Sequence, residues 1–191
     1  MPIPGKNFFA EHHPGFGKRG SRSPEQKRRK TIILLPLRSN PEPMNKPEKA
    51  INFFDQGFNC SQSVLTAFSE DFAINENDLM KIACAFGGGM GRQQLTCGAV
   101  SGALMVLGLH FGRGINDDIS KKGVTYEKAA EFLEAFKKRN GATDCLTLLQ
   151  GLSFHNPDEM KRIEALNLFK TSCNKYAKDA VEIAQEMIDH K

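Results

Sequence analysis

Tryptophan is absent from this chain, and tyrosine occurs only twice in 191 residues. No run reaches the roughly 18 apolar residues that a membrane-spanning helix needs. Five cysteines are too few for a small secreted disulfide scaffold, though enough for a metal site or a redox centre. None of them forms a Cys-x-x-Cys pair. Thioredoxin-type chemistry and the close ligand pairs of zinc fingers and ribbons are thereby excluded. Alternating Val-rich runs are also missing, which removes the main signal for strands. With hydrophobic residues at 40% and charged residues at 25%, collagen-like, wholly disordered and membrane classes fall away.

What is present divides sharply near residue 44. Residues 1–43 hold seven of the nine prolines and nine Lys and Arg against three Glu, a net charge of +6. Residues 44–191 hold seventeen basic and nineteen acidic residues, a net charge of −2, and all five cysteines. The overall +4 therefore belongs to the first segment, and the second is not expected to bind nucleic acid. Residues 1–43 read as a disordered Pro/Gly-rich tail, unable to bury enough apolar surface to offset chain entropy. The basic run Lys27-Arg28-Arg29-Lys30 precedes the apolar Thr31–Leu37, but that stretch is short, broken by Pro36, and followed by no Ala-x-Ala. A secretory signal needs a longer apolar core and a cleavage site. The expectation is a cytoplasmic protein whose folded part starts near Met44, which could itself be the true start.

Beyond Met44 the composition favours helix. Only Pro47 and Pro157 remain, and both suit first helical positions. Helices are predicted over 47–55, about 60–72, about 76–86, 97–110, 126–139, a short stretch from Cys145 and another from Pro157. A last helix runs from near Ser172 to Asp189. Asn59 and Gln62 form a capping-box pattern, and Thr96 reads as the cap of helix 97–110. Residues 112–124 read as a loop. Helix 97–110 is apolar nearly all round, and glycine in a helix costs about 1 kcal/mol against alanine. Gly98 and Gly102 therefore imply close packing. The predicted fold is all-α: a bundle of six to seven short helices around this small-residue helix, with no membrane association.

The cysteines carry the chemistry. Cys60, Cys97, Cys145 and Cys173 each fall in the first turn of a predicted helix, where free N–H groups and the positive dipole end favour a thiolate. A thiolate is both the nucleophile of disulfide exchange and a soft metal ligand. Cys84 lies between Ala83 and Ala85 in mid-helix and reads as core. The spacings of 37, 48 and 28 residues mean that any partnership is made by folding helices together.

Three segments carry a resemblance: Phe58–Leu65, Phe86–Gly91 and Thr96–Ala103. Together they resemble the C_GCAxxG_C_C family of redox-active proteins from bacteria and archaea. Its mark is four ordered cysteines with a Cys-Gly-Ala-x-x-Gly motif at the second, which Cys97-Gly98-Ala99-Val100-Ser101-Gly102 matches in full. Cys60, Cys145 and Cys173 match the other three. The resemblance implies a helical fold and a redox or metal role, but it supplies no substrate. On this reading the four cysteines do thiol–disulfide or electron-transfer chemistry with a partner protein, Cys97 foremost. Gly98, Ala99 and Gly102 would let a partner or cofactor approach Cys97. The alternatives are an iron–sulfur cluster or another thiolate-bound metal held by the same four cysteines, or an interaction domain with inert thiols.

Weaker signals point elsewhere. Gly87–Gly91 is glycine-rich, but Gln94 and Arg92 stand where nucleotide loops need Gly, and no strand precedes it. It reads as a flexible strap over the Cys97 cap, with Arg92 placed to steady a thiolate or an anionic ligand. His110 and His155 stand singly, without a paired carboxylate pattern.

Overall fold

The computed structural model describes residues 44–190. The expectations for the tail fall on residues 1–43, outside that range. Eight α-helices occupy the described residues: α1 Lys46–Asp55, α2 Cys60–Thr66, α3 Glu76–Cys84, α4 Gly98–Phe111, α5 Ser120–Asn140, α6 Cys145–Leu148, α7 Pro157–Ala165 and α8 Asn174–Asp189. No strand occurs among them, only an isolated antiparallel bridge between Thr96 and Asp144. None of these helices is long and apolar enough to cross a membrane.

Local sequence explains most of the helix starts. Asn45 and Glu48 form a capping box on α1, with Pro47 in its first turn. Asn59 and Gln62 do the same for α2, so orphan donors at both starts are satisfied reciprocally. Gly141 ends α5 in the left-handed conformation at φ 89°, which costs glycine nothing.

Four boundaries differ from expectation. Helix α2 stops at Thr66 instead of Phe72, and a 3-10 turn follows over Ser69–Asp71. Lys46 and Lys49 of α1 pair with Asp71 and Glu70 at 2.9 and 2.6 Å, so the acidic segment folds back toward α1, where a continuous helix would not bring it. Helix α5 begins at Ser120, inside the expected loop. Cys97, not Thr96, occupies the N-cap of α4, because Thr96 is engaged in the bridge to Asp144. Cys173 ends a π-helical turn, Phe169–Cys173, that runs straight into α8.

Helix α4 is the centre of the core. Ala99, Val100, Ala103 and Val106 are fully buried among Val64 and Leu65 of α2, Phe132 and Phe136 of α5, and Ala177, Ala180 and Val181 of α8. Burying a phenylalanine as completely as Phe132 or Phe136 contributes about 1.5–3 kcal/mol. A smaller apolar cluster lies apart: Cys145, Leu149, Leu152, Ile163 and Leu168, edged by Phe154, Phe169 and Cys173.

The tightest contact in the core is α2 on α4. A Cβ at Gly102 would lie 2.8 Å from the Ser61 carbonyl oxygen and 2.9 Å from the Val64 Cβ. A Cβ at Gly108, on the same helix, would meet nothing within 4 Å. Gly102→Ala is therefore expected to destabilise by about 1–3 kcal/mol through overpacking. Gly108→Ala should stabilise by about 0.5–1 kcal/mol through helix propensity alone. Urea unfolding of the two variants beside the wild type checks both signs, and equal gains would mean that α2 and α4 do not pack at Gly102.

Candidate functional site

A cavity of about 440 Å³ lies at the seam between the two apolar clusters. All five cysteines line it, with Arg92, Asn59, Tyr176 and the rings of Phe54, Phe154 and Phe169. That volume is in the ordinary range of small-molecule pockets.

The construction starts at Asn59. Its side-chain oxygen accepts from the N–H groups of Ser61 and Gln62, and its Nδ2 donates to the Cys84 carbonyl at 2.9 Å. Gln62 reaches the Met80 carbonyl at 3.0 Å. The start of α2 is thus fastened to α3, and Cys60 is held as the first residue of α2. Its sulfur lies directly over Gly98, where no Cβ would fit. Gly98 directly follows Cys97, so this places Cys60 beside Cys97 in the same cavity wall.

The strap between α3 and α4 supplies the roof. Its backbone is left-handed at Gly88, Gly89, Met90, Gly91, Arg92 and Gln94. For residues other than glycine that conformation costs about 1–3 kcal/mol each and persists only where the surroundings enforce it. Buried Gln94 provides the enforcement. Its Nε2 donates to the Leu152 carbonyl at 2.8 Å, and its Oε1 accepts from the Phe154 N–H at 2.7 Å. At Gly89 a side chain would strike the Cys145 Cβ at 2.8 Å. The Gly88 N–H consequently points at the Cys60 sulfur.

Residues 94–97 pair with residues 143–146. The Cys97 N–H donates to the Thr143 carbonyl at 2.8 Å, and the Cys145 N–H to the Leu95 carbonyl at 2.7 Å. Cys97 and Cys145 are each 6% exposed and Cys60 is 8% exposed. Cys173 also lines the cavity and is half-buried, and Tyr176 donates to the Leu148 carbonyl at 3.0 Å.

These surroundings separate the thiols. The Cys97 hydrogen bond and the N–H groups of Gly88, Ser61 and Cys60 itself bring the Cys60 thiol down to about 7 against the opposing effect of burial. Cys97 moves the other way, because it donates that bond and is buried beside Cys60 and Cys145. Burial, with Cys60 and Asp144 nearby, pushes Cys145 up to about 12. Burial also raises Cys173.

Two of the four cysteines open a helix as expected, Cys60 of α2 and Cys145 of α6, and of these only Cys60 is drawn toward the thiolate. Cys97 lies outside its helix, with its N–H spent on Thr143. Cys145 opens a helix of four residues, with the Asp144 carboxylate beside it. Cys173 continues a π turn and has no free helix start. Cys84 is also corrected: it ends α3, is exposed, and reaches the cavity rim.

The remaining expected site residues fall in three places. Arg92 lines the cavity, its guanidinium 4.8 Å from the centre of the Phe154 ring. The Ala99 N–H points at the Cys97 sulfur. The close approach that Gly98 and Gly102 permit is that of α2. The sequence reading missed Gly88, Gln94 and the aromatic wall. Phe154 and Phe169 carried a signal, as large apolar residues in a short, polar stretch, whereas the long-range bonds of Gln94 left none.

A shared metal does not fit the thiols as they stand. The donors are soft enough, yet among the described residues no three His, Cys, Asp or Glu side chains are placed to hold an ion.

Residues 58–187 match the family model described as "Putative redox-active protein (C_GCAxxG_C_C)". No curated protein and no solved structure matches the chain. The matched span holds all the cysteines and most of the cavity wall, and the chain belongs to the C_GCAxxG_C_C family of redox-active proteins.

Proposed function

We propose that the protein is a dithiol–disulfide redox protein in which Cys60 is the attacking thiolate and Cys97 its partner. The observation that carries this reading is geometric: the Cys60 sulfur lies against Gly98, the residue next to Cys97, and both cysteines line one cavity beside Gly88. A thiolate near neutral pH is the species that attacks a disulfide sulfur, and a second thiol in contact resolves the mixed disulfide. When the pair closes, two electrons pass to the acceptor and the one proton, from the Cys97 thiol, is released. Cys145 and Cys173, both raised by burial, stay protonated and take no part in the first attack. The inert-thiol alternative lacks a reason for one buried thiol to be held by three N–H groups.

Two outcomes test this reading. Cys60→Ser and Cys97→Ser should each abolish a reversible loss of two thiols on mild oxidation, whereas Cys84→Ala should leave it intact. Thiol counting and peptide mass before and after reduction measure it. Uniformly slow modification of the buried thiols in the wild type would instead show that they are inert.

The second outcome concerns pH. A thiol reacts as its thiolate, so the rate rises with pH through its pKa and then levels. Alkylation of Cys60 should rise through about pH 7 and reach a plateau while Cys145 and Cys173 are still climbing. Cys97→Ala removes a donor to the thiolate and should move the Cys60 inflection to higher pH. An inflection unmoved by that change would sink the pairing.

A further inference from the structure

The cavity's lining bears on what can reach the pair. Its wall is largely aromatic and aliphatic: Phe54, Leu148, Leu149, Phe154 and Phe169. Neither aspartate nor glutamate lines it, and Arg92 is its only cationic side chain. Arg92 lies against Phe154 and, among the described residues, has no carboxylate partner. A guanidinium stacked on a ring keeps its planar fork free for a bidentate anion. It sits on a strap held left-handed on either side of it, and Gln94 anchors that strap to Leu152 and Phe154. The strap's backbone is therefore held at the cavity, where it carries Arg92, an exposed residue, against the half-buried Phe154 ring. Cys60 and Cys97 are both more than nine-tenths buried, so a disulfide on a folded partner could not touch them without inserting into the cavity.

We propose that the oxidant of this site is a small-molecule disulfide with an apolar or aromatic body and a carboxylate that docks on Arg92. This inference rests on the dithiol reading above and names its substrate class. The carboxylate meets the guanidinium, the body lies along Phe154 and Phe169, and the S–S bond lies toward Cys60. The Cys60 thiolate attacks one substrate sulfur. A Cys60–substrate disulfide forms, the substrate S–S bond breaks, and the first half leaves as a thiolate. Cys97 then loses its proton to solvent and attacks the Cys60 sulfur, releasing the second half as a thiolate. The protein dithiol is oxidised to a Cys60–Cys97 disulfide, and one substrate disulfide is reduced by two electrons to two thiolates.

The test uses the full-length Cys84→Ala protein, which removes the exposed thiol, and two probe reagents. Dithiobis(nitrobenzoate) is an aromatic disulfide with a carboxylate on each ring, and dithiodipyridine is its neutral counterpart. Rates are followed by release of the coloured thiolate or thione, and the product is identified by peptide mass. The readout is the ratio of the anionic to the neutral rate, referred to the same ratio for a free thiol in solution. Arg92→Gln should lower that ratio by about tenfold, the scale of one charge-assisted contact. Arg92→Lys, which keeps the charge, should retain more of it. A ratio unchanged in Arg92→Gln overturns the docking role, whether both rates fall together or neither does. If neither reagent yields the Cys60–Cys97 disulfide in the Arg92-containing protein, the dithiol reading fails instead.

Discussion

The approach of α2 to α4 is the constraint on which the rest of the structure depends. Two glycines one helical turn apart, Gly98 and Gly102, remove the side chains that would hold the helices apart, and α2 settles with the Ser61 carbonyl against Gly102 and the Cys60 sulfur over Gly98. The same contact seats α2 in the core, through Val64 and Leu65, and sets Cys60 beside Cys97 in the cavity wall. Packing and chemistry are one arrangement here. A residue larger than glycine at position 98 would occupy the place of the Cys60 sulfur itself.

Around that contact the chain divides its labour. The main bundle of α1 to α5 and α8 encloses the larger apolar cluster, with side-chain caps on α1, α2 and α3. The segment from Cys145 to Cys173 forms a smaller cluster of its own. A seam between two such clusters is a natural place for a cavity, because neither fills it. The strap from Gly87 to Leu95 bridges the seam, tied to one side through Asn59 and to the other through Gln94. Its left-handed residues are costly locally, and their neighbours hold them in place.

The electrostatics follow from position more than from residue type. Five cysteines line one cavity, and of the four that match the family motif only Cys60 is drawn toward the thiolate. Cys60 alone combines a helix start of useful length, a glycine N–H from the strap and a donating thiol. The others are buried without such donors or lie beside an acidic cap. Burial alone raises a thiol pKa, so enclosure without aimed N–H groups makes a cysteine quieter.

Much of this was legible along the chain. Caps at Asn45, Asn59, Asn75 and Asn156, the proline positions and the apolar stripes are local signals, and they specified an all-α fold and most of its helices. The two glycines of helix 97–110 announced a close neighbour, and the four ordered cysteines announced the site's chemistry. Neither could say which helix comes close or which thiol is charged, since both depend on residues far apart in sequence. Cys84 shows the limit most plainly: flanked by alanines it looked like core, but α3 ends on it and leaves it exposed. Residue type and spacing determine which elements form. Only the tertiary structure, by packing α2 onto the two glycines of α4, brought Cys60 to Cys97 in one cavity wall.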